Sequence, residues 1–353
     1  MGDLIVVGAG AAGLSAAWAA SLMGFSVVCL EARRIGHPAA SSNGLVKILR
    51  YAYEDEKFSR LLVEAEELWR MLEEGTGVSL LRRCDGLNIG RSGSKRMASI
   101  VASLEATGRD YEVLRQGDSH LDRLGINLAP DERAVLEIGA AVIEPKAALA
   151  ALSLAARASG VRIFEGVQAR SIVESAAGLR VETGDRTFLA DRVIVAAGPW
   201  VHDLVPEPPI PLSVTRQQQV IFATDKPIGD GRQLIWTDLV NDDGYGIVNT
   251  ASGLHVVGSH APGPAVNPAE ITGHAADHDA AHVQALAFQR RLGAVRVEPV
   301  SSRICHYTST ADGDFVVTHC PGLPGTVLLS ACSGHGFKFV VTTGLRAAEL
   351  AAR

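Results

Sequence analysis

The chain has 353 residues, 47% of them hydrophobic and 20% charged, an ordinary globular composition with length for one large or two entwined domains. Its formal net charge of −6, without a long basic run, points away from nucleic acid and anionic membrane as partners. The five cysteines (Cys29, Cys84, Cys305, Cys320 and Cys332) are odd in number, scattered and form no CxxC, which argues against a disulfide framework or a zinc site and fits a reducing cytoplasm. Thirty-six glycines with only 5% aromatics suit an α/β chain with tight strand-to-helix turns.

Residues 4–30 form a run of 27 without a charge, long enough to span a bilayer. No basic residue precedes it, so a signal peptide is not expected. The order inside it is strand-like LIVV, a Gly-rich turn, a small-residue helix from near Ala11, and strand-like FSVVCL ending in Glu31. That order reads as a soluble βαβ unit, not a membrane helix. Gly8, Gly10 and Gly13 form GxGxxG directly after the first strand: a tight turn, a close approach to a pyrophosphate, and close helix–strand packing, with the helix N–H groups aimed at phosphate. Glu31 lies 18 residues after Gly13, where a carboxylate accepts from ribose hydroxyls and disfavours a 2′-phosphate. Together these predict a dinucleotide, NADP being a poor fit. Downstream, residues 191–204 read as a buried strand ending in Ala-Ala-Gly, a second glycine turn of the kind FAD proteins carry. No further GxGxxG occurs, so a separate nicotinamide domain is not expected.

Further along, residues 57–74 read as an amphipathic helix with Leu61, Leu62, Ala65, Leu68, Trp69 and Leu72 on one face. Residues 84–90 read as a turn and short strand, 92–136 as mostly helix and loop, and 145–159 as a helix. Successive strands follow around a turn at Ala176-Ala177-Gly178, and residues 210–257 are strand-like. Residues 269–292 predict a polar helix on which His274, His278 and His282 follow at spacings of four, with Glu270 in phase; ligands along one stripe do not converge on one ion, so a solvated face is expected and no metal site. A closing helix is expected over 339–353. The fold class is α/β (α+β): a discontinuous Rossmann-like nucleotide domain (1–83 with 140–206 and 299–353) and an inserted, mostly antiparallel substrate domain (84–139 with 207–298).

Near the end stands RICHYT, residues 303–308. Strand alternation places Arg303, Cys305 and Tyr307 on one face and Ile304, His306 and Thr308 on the other. Read alone, Cys305 is either a small apolar filler or a thiol available to a cofactor.

Four pieces carry a resemblance across nearly the whole chain: VVGAGAAGLSAAW, SSNGLVKILRYAYED, VIVAAGPWV, and RICHYT with DGDFVV and SGHGFKF. In these the chain resembles the glycine-oxidase/D-amino-acid-oxidase superfamily of flavoproteins, and most the monomeric sarcosine oxidase and N-methyltryptophan oxidase branch. The resemblance implies FAD bound by Gly8, Gly10, Ala11, Ala12, Gly13, Glu31, Ala32, Arg33, Ser41, Ser42, Asn43, Gly44, Val167, Ala197, Gly198 and Trp200, and by Cys305, Gly334, His335, Gly336, Phe337 and Lys338. It implies a thioether between Cys305 and the flavin 8α-methyl; the other reading is an unreacted thiol beside a noncovalent flavin. It assigns Arg50 to the substrate carboxylate, which a guanidinium grips with two parallel bonds, and Lys338 as a second cation. Lys47 keeps a positive charge where the branch often has Arg. Gly334 and Gly336 let the backbone approach the isoalloxazine, and the last helix's N-terminus faces the reduced ring. Tyr245 and His260 are either pocket or packing residues.

The chain departs from the branch in two places. The oxygen-activating lysine of the branch corresponds to Val256 or His255, depending on the alignment, so fast reaction with oxygen would fall to His255, Lys47 or Lys338. Asn43 stands where the branch often has His.

The implied function is oxidation of the C–N bond of an amino acid or secondary amine, by hydride transfer to flavin N5, giving an imine and, with oxygen, hydrogen peroxide. The alternatives are a dehydrogenase using another acceptor and a flavin-binding subunit without its own turnover. A monomer or small homo-oligomer, with a small carboxylate-bearing amine as substrate, completes the expectation.

Overall fold

The computed structural model describes residues 3–240, 244–271, 288–292, 296–330 and 332–353. Among these, a six-stranded sheet runs in the order Val316–His319, Thr326–Ser330, Arg192–Val195, Leu4–Val7, Val27–Glu31, Arg162–Glu165. Its pairings are parallel except at the Val316–His319 edge. Leu4–Val7, Val27–Glu31 and Arg192–Val195 are almost wholly buried, the apolar runs of strands covered on both faces. The helix Ala11–Leu22 covers one face, and the closing helix Val340–Ala351 packs against it. The 27-residue uncharged run is thus strand, helix and strand, and no described helix is long and apolar enough to cross a membrane.

A second, nine-stranded sheet runs in the order Val297–Ser309, Ser213–Thr224, His255–Ser259, Gly244–Val248, Leu234–Asp238, Leu81–Arg91, Glu132–Ile143, Lys47–Leu49; Tyr111–Arg115 also pairs with Glu132–Ile143. It is antiparallel except where Leu234–Asp238 meets Leu81–Arg91. The strand bearing Cys305 belongs to this sheet, at its edge. A small antiparallel sheet of Ser171–Ser175, Gly178–Glu182 and Thr187–Ala190 completes the α/β architecture.

The amphipathic helix runs over Glu56–Thr76. Asp55 caps it by accepting from Lys57 N, and Gly77, in the left-handed region, ends it. Leu61, Leu62, Ala65, Trp69 and Leu72 are buried along its inner stripe.

Two stretches differ from the sequence expectation. Residues 84–90 lie inside an eleven-residue strand, Leu81–Arg91. Residues 92–136, expected as helix and loop, hold the helices Lys95–Ala106 and Ser119–Leu124 but also the strand Tyr111–Arg115 and the start of Glu132–Ile143. Glu132–Ile143 is buried on both faces for most of its length, so it lacks the polar/apolar alternation that marks a half-exposed strand. His274, His278 and His282 lie outside the described residues.

Candidate active site

A cleft of about 380 Å³ runs from the Gly-rich turn to the nine-stranded sheet. At one end lie Gly8, Gly10, Ala12, Glu31, Ala32, Arg33, Ser41, Ser42, Val167, Ala197, Gly198 and Trp200. Gly8 has φ +102°, and a Cβ there would stand 2.4 Å from the Ala196 carbonyl oxygen, so only glycine makes this turn. Glu31 bridges two backbone amides, accepting from Ala9 N and Arg33 N at 2.9 Å each. Arg33 lies over the Trp200 ring at 5.6 Å. A glycine turn, a helix N-terminus and a carboxylate ending the second strand form a donor and acceptor set that fits a dinucleotide.

Four expected cofactor residues do not line this cleft. Ala11 is buried, and its N–H donates to Ser42 Oγ at 2.9 Å. Gly13 is consumed in packing, since a Cβ would stand 1.8 Å from the Gly8 carbonyl oxygen. Asn43 turns onto its own loop, accepting from Gly44 N at 2.7 Å, and Gly44 packs beside the Lys47 stem.

The other end is walled by the strand Val297–Ser309 and the turn Gly334–Lys338. Cys305, Tyr307, Gly334, His335, Gly336, Phe337 and Lys338 line it, with Lys47, Arg50, Tyr245 and His260. Gly334 has φ +77° and a Cβ there would lie 2.2 Å from the Tyr307 ring, so backbone and ring touch. His306 and Thr308 reach the cleft too; Ser41 Oγ donates to the His306 carbonyl at 2.9 Å and ties the two ends together. Arg303 is not among the lining residues, although its charge acts on Cys305 and Tyr245.

Lys338 is buried at 5% exposure. Trp69 of the long helix donates to its carbonyl at 2.8 Å. Its Nζ donates to the Tyr53 hydroxyl and to the His335 carbonyl, both at 2.9 Å. His335 Nε2 meets the Gly313 carbonyl at 3.0 Å, which requires an N–H there and leaves Nδ1 to accept from Tyr53 O–H at 3.2 Å. Burial, with Arg50 and Lys47 adding repulsion, holds the Lys338 ammonium well below the usual lysine range. Arg50 lies over the same Tyr53 ring at 4.7 Å, and its guanidinium also donates to the Ala52 carbonyl. Lys47 Nζ donates to the Ser41 carbonyl at 3.1 Å and lies over Phe337 at 5.4 Å; burial lowers it to about 8.

His260 stacks on Tyr245, ring centroids 4.5 Å apart. Burial, reinforced by Arg50 and Lys338, lowers His260 to about 3. The Tyr245 hydroxyl accepts from Gln219 Nε2 at 2.8 Å and sits 3.4 Å from that of Tyr307. Burial raises Tyr245 to about 12. Burial also raises the Cys305 thiol, against the opposing pull of Lys47 and Arg303.

His255 does not face this cleft. It stacks on Phe222 at 5.0 Å, accepts from Asn249 N at 2.9 Å through Nδ1, and meets Thr224 Oγ1 at 2.9 Å through Nε2. Strand alternation sends it to the opposite side from Val256, which packs with Ile247 and Val46 beside the cleft. Tyr53, Gln219 and Thr237 line the cleft and were not singled out from sequence. Tyr53 lies three residues after Arg50 in a stretch already marked as informative; Gln219 and Thr237 carry no local signal. Among the described residues no cluster of His, Cys, Asp and Glu suits a metal ion.

The chain is 28% identical over 355 aligned positions to an N-methyl-L-tryptophan oxidase of Yersinia pestis, covering 99% of this chain and 94% of that one. It shares the fold of NikD, an unusual amino acid oxidase essential for nikkomycin biosynthesis, at TM-score 0.87 and 24% identity over 100% of this chain and 94% of that one. It also shares the fold of an L-proline dehydrogenase from P. horikoshii, at TM-score 0.84 and 18% identity over 99% and 92% of the two chains. Residues 3–350 match the family described as FAD dependent oxidoreductase, and the chain belongs to that family.

Proposed function

We infer that the chain oxidises the C–N bond of a small amine that carries a carboxylate, an amino acid or a secondary amine. The observation that carries this reading is the pair of basic side chains at one end of the cleft, where a bound anion would favour the Lys338 ammonium that burial disfavours. Arg50 and Lys338 lie over one Tyr53 ring, at 4.7 and 5.4 Å. The acidic lining residues, Glu31 and Asp203, belong to the strand Val27–Glu31 and the turn Gly198–Asp203 at the other end. A buried cleft end with two basic side chains, and no carboxylate among its described lining residues because Glu137 lies behind Arg50 on the Tyr51 and Ala52 amides, suits an anion from the substrate.

FAD, when bound, supplies the acceptor for a hydride from the carbon next to nitrogen, and the resulting imine is hydrolysed by water. The rest is positioning and electrostatics. Arg50 and Lys338 hold the carboxylate and so fix the α-carbon. The same two charges disfavour an ammonium beside them, which keeps the amine neutral and its lone pair available. His260, held near 3, stays neutral at physiological pH and shapes the pocket with Tyr245 instead of taking a proton. Cys305, beside Lys47 and opposite Gln217 on the neighbouring strand, is the candidate thioether partner of the flavin. The division into nucleotide and substrate domains, a cytoplasmic location and a monomer or small homo-oligomer belong to the same reading.

Anaerobic mixing with a panel of amino acids and secondary amines tests the function. Bleaching of the bound flavin is expected; a panel that leaves every sample yellow removes the reading and favours a flavin-binding subunit. A second reading, a dehydrogenase with another electron acceptor, is favoured because neither His255 nor Val256, the two positions that match the lysine of the oxidase branch, supplies a cation to the cleft: His255 stacks on Phe222 and Val256 packs with Ile247. Reoxidation by air no faster than free reduced flavin would select it.

A further inference from the structure

A second cavity, of about 350 Å³, opens off the Arg50 end of the cleft and shares Arg50, Tyr53, His260, Tyr307 and His335 with it. Its far wall is polar: Ser213, Thr215, Gln217, Ser309, Thr310 and Ser333. Strand register explains this wall. Ser213–Thr224 pairs antiparallel with Val297–Ser309, with Ser213 opposite Ser309, Thr215 opposite Tyr307 and Gln217 opposite Cys305. These six residues share one face of the two-stranded ladder, because side chains repeat every second residue. The row starts at the flavin-side cysteine, passes Tyr307 and ends in hydroxyls, Cys305 and Ser309 being about 13 Å apart along the strand.

The wall is held in place. The backbone N–H of Arg216 donates to the Pro264 carbonyl, and that of Val266 to the Val214 carbonyl, both at 2.9 Å. Gln217 Nε2 donates to Thr215 Oγ1 at 3.3 Å; with the amide turned over, its nitrogen would instead donate to the Ala261 carbonyl at 3.2 Å and its oxygen accept from Gly263 N at 3.1 Å. Three hydroxyls already place their protons on backbone: Ser213 on the Ser309 carbonyl at 3.3 Å, and Thr310 and Ser333 on the Asp314 carbonyl at 3.0 and 3.3 Å. What these hydroxyls retain for a guest is lone pairs. None of the described residues lining the cavity is a carboxylate, and the charged one among them is Arg50. The far wall therefore suits an uncharged group bearing N–H or O–H donors, while Tyr53, His260, Pro262, Tyr307 and His335 supply the rest of the lining.

We propose that this cavity is the side-chain subsite, and that it selects amine substrates whose side chain ends in a neutral hydrogen-bond donor, a carboxamide or a hydroxyl. The proposal rests on the reading of Arg50 and Lys338 as the carboxylate clamp, which leaves the side chain to point along the Tyr307–Ser309 row. A site built to bond a donor discriminates against the analogue that lacks it.

The test compares anaerobic flavin reduction by glutamine and by norleucine, similar in length, each as both enantiomers and as N-methyl derivatives. Glycine, sarcosine and N-methyltryptophan are run beside them. The carboxamide is expected to exceed the aliphatic probe by about tenfold in kcat/KM, the worth of one or two net hydrogen bonds. Thr215→Val and, separately, Ser309→Ala should each bring that ratio towards one. If glycine or sarcosine bleaches the flavin but norleucine or N-methyltryptophan equals or exceeds glutamine, the subsite proposal falls and the amine reading stands. If no probe bleaches it, both fall. A ratio that survives both substitutions also overturns the proposal.

Discussion

Glu137 accepts a hydrogen bond from the backbone N–H of Tyr51 at 2.7 Å, across 86 residues of chain. Its other oxygen accepts from Ala52 N at 3.0 Å. A fully buried carboxylate thus fixes the two residues that follow Arg50. Burial pushes Glu137 up to about 7, opposed by the Ala52 amide and by the charges of Arg50, Arg109 and Lys338. Arg109 in turn lies over the Tyr51 ring at 3.7 Å and pairs with buried Glu66 at 3.2 Å. The arginine expected to meet the substrate is therefore positioned from the strand Glu132–Ile143, next to the Lys47–Leu49 edge of the nine-stranded sheet.

Glu137→Gln removes one of the two acceptors and leaves a buried backbone donor facing an amide N–H. A loss of about 1–3 kcal/mol in stability is expected by denaturant titration, the cost of an unsatisfied buried group. The pH dependence has a definite sign. The native value, about 7, exceeds the ordinary 4.5, so the native state holds the proton more tightly. This contribution is complete below pH 4.5 and is lost as pH rises through 7. Thermal scans from pH 5 to 8 should show wild-type stability falling relative to Glu137→Gln. A constant difference between the two proteins would contradict the assignment.

Arg50→Ala should raise KM for a carboxylate-bearing amine by about 10- to 100-fold, the range for charge-assisted hydrogen bonds. Arg50→Lys should fall between, because a point charge replaces a planar fork. Steady-state kinetics on an amino acid and its decarboxylated amine provide the check. The preference for the carboxylate should shrink in both variants; an undiminished preference would remove Arg50 from the clamp.

Lys47 is held near 8 by burial, so it is charged below that pH and neutral above. Where this cation assists transfer of electrons to oxygen, reoxidation of the reduced protein should slow as pH rises through 8. Lys47→Met should be slow, by about tenfold or more, and flat across the same range, since a nearby buried charge is worth more than a kilocalorie per mole. Stopped-flow mixing of the anaerobically reduced protein with oxygen reads both. A wild-type profile that matches Lys47→Met would leave Lys47 without this role.

Cys305→Ser tests the tether. Acid precipitation of the wild type should carry the yellow colour into the pellet, and the serine variant should release it to the supernatant. Colour released from both would leave Cys305 as a buried thiol beside a noncovalent flavin.

Much of this protein is written in local order along the chain. Gly8, Gly10 and Glu31 are legible because their chemistry is set within one strand–turn–helix–strand unit, although Gly8 also meets Ala196 from far along the chain. The helix Glu56–Thr76 is legible for the same reason, from the apolar stripe along one face. Lys338 and Gly334 lie within one short turn, and Cys305 and Tyr307 share a face by alternation alone.

Other features needed the folded chain. The strand Glu132–Ile143 is hidden in sequence because burial on both faces erases its alternation, and with it went any sign of Glu137. His255 and Val256 differ by one residue, yet one stacks on Phe222 away from the cleft and the other packs beside it. Sequence determined which residue types were available, and which faces they shared within each strand or turn. Only the tertiary structure decided which faces meet, because pairings such as Glu137 with Tyr51 or Thr215 with Tyr307 join strands far apart in the chain, and sheet register is set by the packing of the whole sheet.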